Sequence, residues 1–312
     1  MSASEKVDSY IEMMKFGEGI DFDQYLHPDD EAKIKPADHW RERVKEHQLN
    51  PQEAIGLRLP WNKAGNFRIR KGETTIHTGY NGHRKSMMLG YIQLGLIAQG
   101  EKCLSISLEM PPHITIDRQL KQFVGNEEPS LLMHDAFFEF VYSKLYLYDQ
   151  IGTMKWRRVI AVCRYAIQEL GVTQCFLDSL MKFGIKSKDH ETQAEFVDEV
   201  TTLGKDTACH MHLVAHAKKP HESKESIPPN RYDVSGSGDI SNMVDNVIIH
   251  HQNKSEDRKY DQLMIVDKQR NPEGDEAEPS FIFTFEANGL QFKPYSNTAK
   301  MSNDDWTNAR FN

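Results

Sequence analysis

Gly79-Tyr80-Asn81-Gly82-His83-Arg84-Lys85-Ser86 separates two stretches of different periodicity. Before it, Thr74-Thr75-Ile76-His77-Thr78 is rich in β-branched residues and predicts a strand. After it, Ser86 to Ala98 predicts a helix, with Gly100 where a helix-ending glycine belongs. The loop satisfies the template G-x-x-x-x-G-K-[ST] at each fixed position but the sixth, where Arg84 stands for glycine. In such a loop the backbone N–H groups from Gly79 through Asn81, Gly82, His83 and Arg84, together with the helix N-terminus, cradle phosphates. Lys85 is expected to reach the β- and γ-phosphates of a nucleoside triphosphate, and Ser86 to hold Mg²⁺. An ordinary glycine turn also accommodates a lone Gly-Lys-Ser lookalike. The flanking strand and helix favour the phosphate loop. A side chain at position 84 crowds the loop, strains its φ/ψ, or turns outward and lends its charge to phosphate binding; the sequence leaves these open.

The pattern continues outward. Lys102 to Leu108 predicts a strand ending at Glu109, which completes a strand–loop–helix–strand unit. A helix over 113–125, a short strand over 145–148 and a helix over 157–170 ended by Gly171 follow. Then come a strand over 172–178 ending in Asp178, a helix over 190–207 and a strand over 210–216 ending in His216. Runs at 247–250, 262–268 and 281–285 crowd together near the end. Strands alternating with helices and then following one another predict an α/β fold. Its sheet is mostly parallel, with late antiparallel strands.

Several strand ends carry chemistry. Glu109 is positioned to orient or deprotonate an attacking water, since ligands of open α/β sheets bind at the carboxyl ends of strands. Asp178 suits Mg²⁺ held through water, because a buried carboxylate without a partner is costly. His216 is either a γ-phosphate sensor or a satisfied structural histidine. Lys218, Lys219 and Lys224 lie in a polar loop, and Ser235, Gly236, Ser237 and Gly238 form a second flexible segment. Either could grip a phosphate backbone, and a solvated basic loop is the plainer alternative. Lys268 and Arg270 end a strand away from the phosphate loop. They are candidates for completing a neighbour's site, or else a surface pair.

Composition bounds the rest. The chain has 312 residues, 38% hydrophobic and 27% charged, which fits a globular protein. Its net charge of −8 argues against a broad basic coat for nucleic acid, though not against one basic channel. No run is long enough to span a membrane, and the N-terminus lacks a secretory signal, so a cytoplasmic location is expected. Cys103, Cys163, Cys175 and Cys209 form no CxxC pair and are expected to be reduced, mostly buried thiols. Residues 1–55 predict short helices too thin for a core of their own, an arm that packs on something else. Residues 56–296 form the main domain and 297–312 a tail.

The whole set, in this order, resembles the motor domain of DnaB-type replicative helicases and T-odd phage primase-helicases. The resemblance rests on Lys85-Ser86, Leu108-Glu109-Met110-Pro111, Phe176-Leu177-Asp178-Ser179 and Leu213-Val214-Ala215-His216 with the Lys-Lys-Pro after it. Ser235 to Ile240 and Lys268-Gln269-Arg270 complete it. It implies a RecA-like ATPase core that uses ATP and Mg²⁺ and assembles as a homo-hexamer around single-stranded DNA, moving 5′ to 3′. It also implies a primase or helicase-loader partner. Glu109 then resembles the catalytic carboxylate, His216 the phosphate sensor, and Lys268 with Arg270 the trans-acting pair. The loop from Lys218 to Gly238 resembles the DNA grip, and Tyr295 loosely matches a base-stacking aromatic. Arg84, the Ser241-Asn242 that follows the Ser-Gly-Ser-Gly segment, and the short stretch before the motor depart from the family. The last makes ring assembly depend on the N-terminal arm and suggests a phage or prophage source. An ATP-binding accessory or loading factor that does not unwind is the alternative with the same fold.

Overall fold

The computed structural model describes residues 36–49, 56–61, 67–186, 188–218, 227–236, 240–254, 260–270 and 280–294. Within them the chain runs α1 (Arg41–Leu49), β1 (Thr74–Thr78), α2 (Lys85–Ala98), β2 (Cys103–Ser107), α3 (Pro112–Val124) and α4 (Leu131–Val141). It continues through β3 (Leu145–Leu147), α5 (Trp156–Leu170), β4 (Gln174–Asp178), α6 (His190–Thr207), β5 (His210–Val214) and α7 (Ile240–Met243). Four strands close it: β6 (Asn246–Gln252), β7 (Gln262–Gln269), β8 (Ser280–Glu286) and β9 (Gln291–Pro294).

All nine strands form one sheet in the order β3-β2-β4-β5-β1-β6-β7-β8-β9. Pairings from β3 to β6 are parallel, and those from β6 to β9 are antiparallel. The crossovers α2, α5 and α6 force the first arrangement; the short links after β6 permit only the second. β1 lies between β5 and β6, so every residue of it is buried.

Two cores sandwich the sheet. On one face Ile76, Ile106, Cys175 and Leu213 meet Val159, Ile160 and Cys163 of α5 and Phe196, Val197 and Val200 of α6. On the other, Phe176, Val214 and Ile248 meet Met88 and Ile92 of α2, Phe123 of α3 and Phe137 of α4. The segment before β1 joins the second core. Leu57 bridges Ile69, and the Trp61 indole donates to the Phe292 carbonyl at 2.7 Å, tying it to β9. All four cysteines are buried free thiols. Among the described residues no helix is long and apolar enough to cross a membrane.

Helix α1 buries nothing; Val44 and Leu49 are exposed. Of the N-terminal arm read from the sequence, residues 1–35 and 50–55 lie outside the described residues, as does the tail 297–312. Two elements were not foreseen. α4 is apolar nearly all round and shows no helical stripe; it starts at Ser130, whose side chain accepts from Met133 N at 3.4 Å. β9 is too short, and too poor in β-branched residues, for its sequence to announce it.

Candidate nucleotide site

The loop after β1 is shaped by its neighbours. A Cβ on Gly79 would collide with the His250 carbonyl of β6, and its φ of 149° is one that L side chains rarely adopt. Asn81 stands exposed at the tip. His83 is buried: its Nδ1 accepts from Gln252 N at 3.0 Å, and its carbonyl accepts from Gln262 Nε2 at 3.2 Å. The loop is thereby fastened to β6 and β7.

Arg84 is the N-cap of α2, with φ 59° and ψ 23°. This left-handed conformation costs an L-residue about 1–2 kcal/mol, where glycine adopts it freely. Its side chain does not crowd the loop. The guanidinium carbon lies 3.9 Å from the centroid of the Phe285 ring on β8. Such a contact contributes about 0.5–2 kcal/mol, enough to offset the backbone cost. Both the strain and the outward turn considered from the sequence are therefore present.

No side chain caps α2 and no acid lies in its first turn. Its first N–H groups and the positive end of its dipole are available for an anion. Lys85 is buried, and its Nζ donates to the carbonyls of Gly79 at 2.9 Å and Tyr80 at 2.8 Å. Burial lowers its pKa to about 8, against the opposing pull of Asp178 and Glu109. The amine thus stays charged at neutral pH.

Four strand ends converge on this lysine. Ser107 pairs with Asp178 across β2 and β4, and Leu108 N donates to the Asp178 carbonyl at 3.2 Å, which brings Glu109 beside Ser179. Ser179 Oγ makes a long 3.5 Å contact to Glu109 Oε1. Ser86 Oγ donates to Asp178 Oδ2 at 2.6 Å. Burial raises the Asp178 pKa and Glu109 adds to it, while the Ser86 hydrogen bond and Lys85 pull the other way. Ala215 N donates to the His77 carbonyl and Ala217 N to that of Gly79, which fixes His216 next to the loop's start. Its pKa is lowered by burial first and then by Lys85, with Glu109 opposing; its buried Nδ1 has no hydrogen-bond partner among the described residues. Lys85, Ser86, Glu109, Asp178 and His216 therefore share one crevice. Hydroxyl and carboxylate oxygens 2.6 Å apart beside a lysine suit a magnesium-bound polyphosphate.

Beside His216 the chain leaves the sheet and returns. Ala217 bridges Val234, Lys218 N donates to the Asp233 carbonyl at 2.7 Å, and Ser235 N donates to the His216 carbonyl at 2.7 Å. Lys218, Ser235 and Gly236 thus sit at the neck of this excursion. Lys219, Lys224, Ser237, Gly238 and Tyr295 lie outside the described residues. Lys182, Lys186 and Lys188 follow Asp178 in the same way that Lys218 follows His216, and Lys182 also acts on His216. The sequence reading missed these, though a basic run after a strand-end acid is the same kind of signal.

Lys268 and Arg270 are not part of this crevice. A bulge pairs Ile248 with Val266 but Val247 with Lys268, which leaves Asp267 as the extra residue. The Asp267 carboxylate accepts from Arg231 N at 2.9 Å. Lys268 Nζ donates to the carbonyls of Ser241 at 2.8 Å, Asn242 at 3.0 Å and Val244 at 2.7 Å. Arg270 is ion-paired with Asp245 at 2.9 Å, and Asp245 also accepts from Thr74 N at 2.9 Å. Both residues lie at the start of β1, roughly 15 Å from the loop at its other end, at about 3.3 Å per strand residue.

Beneath the loop runs a file of buried rings. Gln174 Nε2 donates to Glu101, which turns its Oε1 toward His212 Nε2 at 3.2 Å. His212 Nδ1 must then accept from His77 Nε2 at 3.1 Å, and His77 Nδ1 from His250 Nε2 at 3.0 Å. All three imidazoles are neutral. Burial depresses them first; the His250 pKa falls to about 3.

Residues 63–296 match the family described as ATPase: KaiC. The chain belongs to the KaiC-type ATPases. Over 112 residues, 35% of this KaiC-type chain, it is 28% identical to the Twinkle homolog protein, chloroplastic/mitochondrial, of Arabidopsis thaliana; the match spans 15% of that protein. The fold is similar to a solved helicase ATPase domain, with TM-score 0.71 and 12% identity, over 85% of this chain and all of that one. It is also similar to a DnaB-like replicative helicase studied for its interactions with primase, with TM-score 0.68 and 12% identity. That second match covers 93% of this chain and 71% of the other. The KaiC-type ATPase therefore has the RecA-like helicase ATPase fold, as its motif order implied.

Proposed function

We propose that this ATPase is a motor that couples ATP hydrolysis to movement along single-stranded DNA, working as a homo-hexameric ring. The carrying observation is the convergence of Lys85, Ser86, Glu109, Asp178 and His216 beside the neck at Ala217 and Val234. Nucleotide chemistry and the base of a basic loop share one edge of the sheet.

In this reading the N–H groups of the loop and α2 bind the phosphates, Lys85 neutralises their charge, and Ser86 with Asp178 holds Mg²⁺. The metal, when bound, polarises the transferring phosphoryl group. Glu109 orients the attacking water and takes its proton. His216, with a free Nδ1 lone pair or proton, senses the γ-phosphate and hands its loss to the segment that begins at Lys218. Lys182, Lys186 and Lys188 line the same edge and supply further phosphate contacts. Arg270 is too far from its own loop to act there, which supports action on a neighbour's nucleotide. Lys268, tied to its own turn, supports that strand. Residues 56–296 are the motor, with the N-terminal arm linking subunits and a primase or loader as partner. A 5′ to 3′ direction and a phage source follow the family resemblance alone. The Arg84 side chain, turned onto Phe285, leaves the loop's N–H groups clear and favours turnover over mere nucleotide binding.

The test is ATPase activity with and without single-stranded oligonucleotide. Stimulation that disappears in Lys85→Ala supports the motor. Mixing Lys85→Ala with Arg270→Ala subunits should restore some activity through shared sites. A purified chain that binds no nucleoside triphosphate with magnesium ends this reading.

A further inference from the structure

We propose that Arg84 is a positioning residue of the nucleotide site: stacked on Phe285, it sets the left-handed turn that opens α2 and fastens that turn to the β8–β9 hairpin. The inference rests on the reading of residues 79–86 as the nucleotide-binding loop.

A glycine at this position needs no anchor, because its backbone enters the left-handed region freely. An arginine at φ 59° does need one. Its stem is long enough to leave the loop and set the guanidinium on a half-buried ring, 3.9 Å from the Phe285 centroid. The ring is itself held. Phe285 N donates to Asp261 Oδ2 at 2.9 Å, and the ring packs on Phe292 at 5.2 Å.

A second tie runs between the same two elements. Gln122 Nε2 donates to the Met87 carbonyl in the first turn of α2 at 2.9 Å and to the Leu290 carbonyl in the hairpin turn at 3.1 Å. Gln291 Nε2 donates back to the Gln122 carbonyl at 2.8 Å. The hairpin thus grips the start of α2 on both sides of Lys85 and Ser86, through Arg84 before them and Met87 after them. The direction of the loop's N–H groups, and with it nucleotide affinity, depends on the aromatic face at position 285.

The experiment measures MgATP affinity, KM and kcat for the wild type, Phe285→Leu, Arg84→Gly and the double variant, with thermal melts to verify folding. With Arg84 present, Phe285→Leu should weaken nucleotide binding by about tenfold, the upper range of a cation–π contact. KM should change more than kcat. In the Arg84→Gly background the same change should cost less than about twofold, since no left-handed side chain remains to be held. Phe285→Trp, which keeps the better cation-binding face, should preserve or tighten binding, and only with Arg84 present. If Phe285→Leu melts early, the Trp comparison carries the test. Equal losses in both backgrounds, or a Trp effect independent of Arg84, overturn the proposal while leaving the nucleotide site intact. A wild type that binds no nucleotide overturns the functional reading as well.

Discussion

Ser86 Oγ donates to Asp178 Oδ2 at 2.6 Å, joining the first turn of α2 to the end of β4. Burial opposes the charge on Asp178 and raises its pKa. The sign follows: the folded state takes up a proton more readily than the unfolded one, so this carboxylate destabilises the fold near neutral pH and less so as pH falls. Asp178→Asn should therefore raise the melting temperature of the nucleotide-free protein by a few degrees, corresponding to roughly 1 kcal/mol. The same change should lower magnesium-dependent turnover by about two orders of magnitude or more. A variant that is both less stable and active would refute the assignment.

Lys85 titrates at about 8 in the free protein because of its burial. Nucleotide affinity should be level below that pH. Above it, affinity should fall by about tenfold per unit, since a neutral amine must first be protonated to meet the phosphates. Binding isotherms between about pH 6.5 and 9.5 test this, with Lys85→Met as the control whose alkaline slope should vanish.

The ring file makes the fold acid-labile. His77, His212 and His250 are depressed by burial, and so is His210, which donates to the Arg70 carbonyl at 2.6 Å. Depressed histidines contribute stability that is complete above the unfolded value near 6.5 and is lost as pH falls below it. For His250 the loss continues to about 3. Each ring contributes up to about 1.4 kcal/mol per pH unit. Urea midpoints at about pH 7 and pH 5.5 should therefore differ by the equivalent of two or more protons. A slope below one proton would count against a neutral file.

Lys268 holds three carbonyls of the turn after α7. Lys268→Met keeps the stem and removes the donors, and should cost about 1–3 kcal/mol by chemical denaturation. Arg270→Ala, at a half-exposed ion pair, should cost less than about 1 kcal/mol. If the two rank the other way, the turn does not depend on the lysine.

The parallel half of the sheet and the crevice were legible because motif and periodicity coincide there. Each of Lys85, Glu109, Asp178 and His216 ends a run whose pattern already predicts a strand or starts a helix. What stayed hidden depends on register and on distant partners. The acceptors of Lys268 are backbone carbonyls of residues 241–244, and backbone atoms carry no sequence signal. His77, His212 and His250 come together only once β5, β1 and β6 are aligned. Phe285, 201 residues beyond Arg84, shows no sign of being its support. α4 eluded the periodicity test because a helix apolar on every side has no stripe to detect.

The neck formed by Ala217 with Val234, and by His216 with Ser235, is only a few residues wide. The chain leaves and rejoins the sheet at a fixed point, so the length and composition between those points can change without displacing the γ-phosphate sensor. An engine built this way can be fitted to a new track by exchanging a single insert. Selection on grip and selection on fuel consumption then act on separate stretches of the gene.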